Sequence, residues 1–446
     1  MVTYAARQAS AHARRVRSFW TIALIGVVWA WICIPKILQT LLAPKYRYAV
    51  GVENAPYSRL AALADYGLYI GVIAVCGLIV IGYINDLNTS AITRLIVMVV
   101  PWVYIAVRDI YVPKSLSDEG VVYILVVVAL WLLRPRIGDL QALGYLVGLT
   151  ALISVAIALI LPEKAIYRTA AGEVIATEKQ IVPGGILVGI FTQGNSLGQF
   201  LALGLPTVFL VVRTWHRVVL VGLASLAIVW SASRGAMIAA GIGLLTYTIV
   251  RLSAPWLRRV LAPFLIFSAF AVVCIIPFVT TQPESFSNRG LVWIVSIQAW
   301  ESNPLFGLGS NWYNAVGRTS ARIAGSVFHA HNQLIQFLVT GGIIFAVLVA
   351  IQLIMATARA TRLAARGEFF AISWLAVLAG SGLFEKSMVF VDNANALPTV
   401  LIPLGVLILG ADLSSRNPDG GAEDWVTDPP PLLGRTTRSI TQYGRI

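Results

Sequence analysis

The sequence predicts an all-α polytopic integral membrane protein: a bundle of about twelve transmembrane helices with a long extracytoplasmic loop that contains a short interfacial helix. Three observations lead there. Of 446 residues, 58% are hydrophobic and only 12% charged. The apolar residues come in blocks long enough to cross a bilayer, separated by short polar punctuation. These blocks also run through nearly the whole chain, which leaves no stretch with the composition of a separate soluble domain.

Taken in order, the apolar stretches predict helices near 19–35, 63–84, 92–110, 119–133, 140–161, 196–213, 217–233, 235–251, 260–280, 332–357, 369–388 and 396–411. The run from 217 to 251 would be about 50 Å long as one helix, against an apolar bilayer core of about 30 Å, so it must fold back at "SASRGAM", Ser231 to Met237. Residues 1–18 form a basic N-terminal segment, 19–411 the transmembrane bundle, and 412–446 a Pro- and Gly-rich tail with no apolar period, expected to be disordered. The basic start followed by an apolar block lacks a small-residue cleavage site and is expected to stay as the first span.

Basic turns set the orientation. "RPR" at Arg134–Arg136, "RTWHR" at Arg213–Arg217, "RLSAPWLRR" at Arg251–Arg259 and "RATRLAAR" at Arg359–Arg366 fall on the side that holds both termini, which the positive-inside rule places in the cytoplasm. The lysines fall on the other side, where long loops dilute their weight. The net charge of +13 is dispersed over these turns instead of forming a stripe with interleaved aromatics, which argues against nucleic acid as a partner. Cys33, Cys76 and Cys274 all lie within apolar blocks and supply neither a disulfide framework nor a cysteine zinc site.

Two outer segments are long, about 162–195 and 281–331, and long ordered loops tend to carry function. In the second, Leu291, Ile294, Ile297 and Trp300 recur at helical spacing, with Ser287 or Asn288 as candidate caps and Asn303-Pro304 as the stop. This predicts an interfacial helix with Arg289 in its first turn, where free amides and a guanidinium together offer an anion seat or, more plainly, a surface Arg reaching lipid phosphates. Arg234, at the turn between two short spans, is costly in a membrane unless a ligand or partner compensates it, and the neighbouring spans offer no acid.

The chain has only four histidines, and two of them, His329 and His331, stand at the lip of an apolar run. As metal ligands they would need Glu301, Asp392 or similarly scattered acids, so no metal is expected. As a general base, a neutral imidazole at this point has a polar stripe behind it, Asn332, Gln333 and Gln336, which would be costly against lipid and should face the interior. Asn195 and its neighbours in "TQGNSLGQF" either cap the sixth helix or line the same cavity.

Taken together, "GNSLG", "SASRGA", "NRGLVWIVSIQAWESNPLFGLG" and "HNQLIQFLVTGG", in this order between about Gly194 and Gly342, resemble the O-antigen ligase-like membrane protein family, which includes O-antigen and exopolysaccharide polymerases. The resemblance implies a metal-independent inverting glycosyltransferase of the bacterial cytoplasmic membrane that needs no cofactor. Its site would be extracytoplasmic, its donor a glycan on undecaprenyl diphosphate, and its acceptor a glycan or lipid hydroxyl. By the same resemblance His331, followed by Asn332 and by Gly342, is the catalytic base, and Arg234 and Arg289 bind the diphosphate. His329, Asn332, Gln336 and Asn195 are expected to support them. Where the family pattern has a glycine three residues after Gly342, this sequence has Phe345. The alternative is a transporter or flippase of lipid-linked glycan, in which the same arginines form a transit site; no two-fold internal symmetry in the sequence favours it.

Overall fold

The computed structural model describes residues 2–42, 57–86, 91–110, 118–168, 174, 178–319, 329–388, 390, 395 and 397–411. Its described residues are overwhelmingly helical. There are no strands among them, only two isolated bridges, Ile166 with Leu187 and Arg168 with Val174, within the first long loop. In chain order the helices are α1 (Val2–Leu42), α2 (Arg59–Tyr83), α3 (Ile92–Arg108), α4 (Asp118–Leu133), α5 (Gln141–Ile160), α6 (Pro162–Ala165), α7 (Gly194–Val208), α8 (Thr214–Trp230) and α9 (Arg234–Leu252). They continue with α10 (Pro255–Val279), α11 (Ser285–Trp300), α12 (Trp312–Thr319), α13 (Gln333–Ala365), α14 (Phe370–Phe384) and α15 (Leu397–Leu409).

Each apolar stretch picked out in the sequence falls on a helix. Among the described residues, six helical segments are long and apolar enough to cross a membrane, from His12–Leu42 to Gln333–Ala365, and four more apolar helices are shorter. The chain is thus an all-α integral membrane protein. The bundle, Met1–Gly410, forms one unit; the second unit, Ala411–Ile446, carries the expected disordered tail, and beyond Ala411 it lies outside the described residues. The basic N-terminal segment is not separate from the first span: α1 runs unbroken from Val2. Cys33 and Cys76 are buried as expected, whereas Cys274 faces outward.

The centre of the bundle is α14, every residue of which is buried. It packs antiparallel to α9 at short range: a Cβ on Gly380 would lie 2.9 Å from the Ala239 Cα, so only glycine allows this approach. This pairing brings the end of α14 beside the start of α9, and α7 runs against both.

α13 is not one continuous helix. At Gly342 (φ 70°, ψ −167°) it breaks, in a region of backbone space essentially confined to glycine. A break within an apolar run strands carbonyls and amides that lipid cannot satisfy, at several kcal/mol each. Here the segment Pro304–Gly309 fills it. The amides of Leu308 and Gly309 donate to the carbonyls of Val339 (2.6 Å) and Thr340 (3.1 Å), and the amides of Ile343 and Ile344 donate to Pro304 (2.9 Å) and Leu305 (3.3 Å). Tyr104 donates its hydroxyl to the Gly341 carbonyl (2.8 Å), and Arg108 holds the Phe306 and Gly307 carbonyls at 2.8 and 2.7 Å. Phe345, which replaces the expected glycine, stacks on Tyr104 and meets Phe337 and Phe390 edge-on, so it fills the core.

α11 differs in detail from its expectation. Its buried face is Gly290, Val292, Trp293 and Ser296, not the Leu291–Ile294–Ile297 stripe. Val292 joins a core with Ile335, Leu338 and Val339 of α13, because a tertiary partner lies where a lipid-facing surface was expected. Neither Ser287 nor Asn288 caps it. Phe286, Ser287 and Asn288 all stand in the left-handed region (φ 54°, 62° and 69°), and this turn aims Arg289 into the bundle.

Candidate active site

The site forms around one short segment, Glu385-Lys386-Ser387-Met388, that follows α14. Gln333 accepts from the amides of Ser387 (2.6 Å) and Met388 (2.8 Å) and donates to the Met388 carbonyl (3.2 Å), while Gln199 of α7 donates to the Lys386 carbonyl (3.0 Å). These amide side chains fix the backbone and leave the Glu385 carboxylate free to reach the groups around it.

Four side chains meet that carboxylate. Oε1 receives Arg289 Nη2 at 2.7 Å and Asn195 Nδ2 at 3.3 Å. Oε2 lies 3.3 Å from His331 Nδ1 and 3.5 Å from His329 Nε2. The guanidinium of Arg289 also lies over the Phe384 ring, 5.4 Å from its centroid. His331 Nδ1 is buried and forms no well-aligned hydrogen bond, so the contact with Glu385 is electrostatic in this state.

The turn bearing the histidines is itself pinned. Gln336 accepts the Ala330 amide (3.0 Å), and Asn332 caps α13 by accepting the Ile335 amide (3.1 Å). Asn332 also donates to the carbonyls of Val273 (3.1 Å) and Leu383 (3.4 Å), tying the histidine-bearing turn to α10 and α14. His331 has φ 51°, a left-handed conformation in which its amide reaches His329 Nδ1 at 3.1 Å. The polar stripe therefore faces the interior as expected. Asn332 and Gln336 support the site through the backbone, and Asn195 through Glu385.

Arg234 opens α9 and donates to the Glu178 carbonyl at 3.4 Å. Its side chain is exposed. Lys179, one residue on, lies within electrostatic reach of Arg234, Arg289 and Glu385. Burial lowers its pKa first, the two arginines lower it further, and Glu385 opposes them. Burial likewise pulls down the Arg289 pKa, with Glu385 in opposition. The helices α7, α9 and α13 all begin at this site, adding the positive ends of their dipoles. Arg289 thus pairs with Glu385, Lys386 and Arg289 act on His329, and Arg234 acts on Lys179 beside them. A gathering of cations of this kind suits an anionic ligand.

Three expected residues, Arg234, Arg289 and His331, therefore converge on one place. Sequence reasoning missed Glu385, Lys179 and the positioning role of Gln333. Glu301, one of the acids weighed as a metal ligand, follows the far end of α11, about 18 Å of helical rise from Arg289, and Asp392 lies outside the described residues.

The missing acid does revive the question of a metal. A nitrogen from each histidine and a Glu385 oxygen lie within 4.8 Å of one another. The donor chemistry fits a cation poorly. Because His329 Nδ1 accepts the His331 amide, its neutral ring carries the proton on Nε2, the atom that faces Glu385. Burial first, then His331, Lys386 and Arg289, hold the His329 pKa well below 6.5, so the ring is neutral. Glu385 is already paired with Arg289, and the surrounding charge repels a dication.

The family model described as O-Antigen ligase matches residues 218–350, from α8 through the break in α13. Over this stretch the chain is similar to the O-antigen ligase family. The matched stretch holds Arg234, Arg289 and His331, while Glu385, Lys179 and Asn195 come from outside it. The match supports, in general terms, glycosyl transfer of the O-antigen ligase or polymerase type, with a lipid-linked glycan and an acceptor as substrates in the membrane. A comparison with curated proteins gave no match.

Proposed function

We propose that this protein is a metal-independent inverting glycosyltransferase that moves a glycan from undecaprenyl diphosphate to an acceptor hydroxyl on the outer face of the bacterial inner membrane. We assign it twelve crossings with both termini in the cytoplasm. The observation that carries the reading is the convergence of Arg289 and His331 on Glu385, 2.7 and 3.3 Å away, with Arg234 and Lys179 alongside.

The chemistry follows from that arrangement. As the sugar–phosphate bond breaks, its electron pair goes to the diphosphate, and Arg289 and Arg234 stabilise the growing charge. His331, with Nδ1 turned to Glu385, offers Nε2 to the acceptor hydroxyl on the opposite face of the sugar carbon and takes its proton, which gives inversion. The polyprenyl tail stays in the bilayer while its headgroup enters the cationic site.

A flippase would also need anion contacts, and broken helices are a transporter feature. The break in α13, however, has its backbone groups occupied by Pro304–Gly309 and does not present them to a substrate.

The test is His331→Ala in protein reconstituted with an undecaprenyl-diphosphate-linked glycan and acceptor. Transfer is expected to fall about 10²- to 10⁴-fold in a folded, monodisperse protein. Wild-type turnover in that variant would overturn the assignment, and movement of the donor across vesicles without acceptor would favour the flippase.

A further inference from the structure

We infer that Glu385 is the positioning residue of this site: it is held by Arg289 and is handed to His331 when a diphosphate takes the guanidinium. The inference rests on the glycan-transfer reading above and adds a link between donor binding and the base.

The geometry divides the carboxylate in two. Oε1 belongs to the donor side, with Arg289 at 2.7 Å and Asn195 at 3.3 Å; Oε2 belongs to the base side, with His331 at 3.3 Å and His329 at 3.5 Å. Its place is set without using the carboxylate, because Gln333 and Gln199 grip the three residues after it. The side chain is only 14% exposed, so water screens these contacts weakly.

One carboxylate cannot fully balance a guanidinium and an imidazolium at once. The closer partner is Arg289, and the contact to His331 Nδ1 is not aligned as a hydrogen bond. A diphosphate carries more charge and more acceptor oxygens than a carboxylate and matches the fork of a guanidinium, so it competes for Arg289. With Arg289 drawn to phosphate, the Glu385 charge is available when His331 Nε2 takes the acceptor proton and becomes imidazolium. The hydroxyl oxygen then forms the new bond to the sugar carbon, and the leaving diphosphate keeps the pair from the broken bond. Among the described residues, the charged or titratable groups around the two histidines are Glu385 and Lys386 after α14 and Arg289 from α11, with Lys179 and Arg234 beyond.

The experiment compares wild type, Glu385→Gln and Glu385→Asp, measuring binding of undecaprenyl diphosphate and, separately, kcat and KM for transfer. The Gln variant keeps the shape but not the charge. It is expected to bind undecaprenyl diphosphate as well as wild type or more tightly, because Arg289 loses its internal competitor, while kcat falls about 10²-fold or more. The Asp variant is expected to recover part of kcat with KM near wild type. If Glu385→Gln keeps wild-type kcat, or if both variants lose binding and turnover together, Glu385 is not the link and the inference fails while the glycan-transfer reading stands. If wild type itself does not bind undecaprenyl diphosphate, the failure lies with that reading instead.

Discussion

Gly342 and Leu305 meet so closely that a Cβ on the glycine would lie 2.1 Å from the Leu305 carbonyl oxygen. The contact joins the break in α13 to the loop that fills it. Gly342→Ala must both leave its backbone region and push that loop away, at a cost of about 1–3 kcal/mol for the strain alone. A lower midpoint in thermal unfolding followed by tryptophan fluorescence checks this; an unchanged midpoint would mean that the break tolerates a side chain.

On the proposed mechanism, Arg289→Ala removes a charge that stabilises the leaving group, and it also removes the 2.7 Å partner of Glu385. Transfer should fall about 10²- to 10³-fold, and Arg289→Lys should restore only part, because an ammonium keeps the charge but not the planar fork. Initial rates at saturating donor decide the matter, with Arg234→Ala as a comparison from the exposed edge of the site.

His329 gives stability a pH dependence whose sign is fixed. Its folded pKa lies well below 6.5, so above pH 6.5 neither the folded nor the unfolded state holds a proton there. As pH falls below 6.5 the unfolded chain takes one up and the folded chain does not, and stability declines by up to about 1.4 kcal/mol per pH unit. Melting midpoints between pH 7.5 and 5 should drop accordingly, and His329→Gln should flatten the slope.

Chelation should leave turnover intact. The His329 tautomer and the Arg289–Glu385 pair leave the three-ligand cluster without two of its donors. Incubation with EDTA followed by a transfer assay is sufficient, and strong inhibition reversed by added Zn²⁺ would show that the histidines bind metal after all.

The three consecutive left-handed residues before Arg289 are strained, and Ser287 is exposed. Ser287→Gly should therefore stabilise the fold by about 0.5–1 kcal/mol, since the steric relief exceeds the entropy glycine loses on folding. Chemical denaturation of the two proteins in the same detergent measures the difference.

Much of this was legible in the sequence because apolar period and rare polar residues are local signals. The fold-back at Ser231–Met237 followed from length alone, Arg234 stood out by the cost of its charge and His331 by the scarcity of histidine, while Arg289 was assigned to the ligand only by the family resemblance. Glu385 did not stand out, since an acid after an apolar run looks like an ordinary helix exit; its importance comes from four partners distant in sequence. Lys179 lies in a loop with no motif. The face of α11 was misjudged because its neighbour, α13, is a tertiary fact, and its cap because the left-handed turn depends on where the chain must bring Arg289.

The filled gap in α13 means that the short helix behind His331 is anchored sideways, to the stretch after α11, as firmly as it is to the long span that continues from it. Pro304–Gly309 and Val339–Ile344 behave as a single splice, so a one-residue insertion in the former would shift the imidazole even though no residue near it had changed.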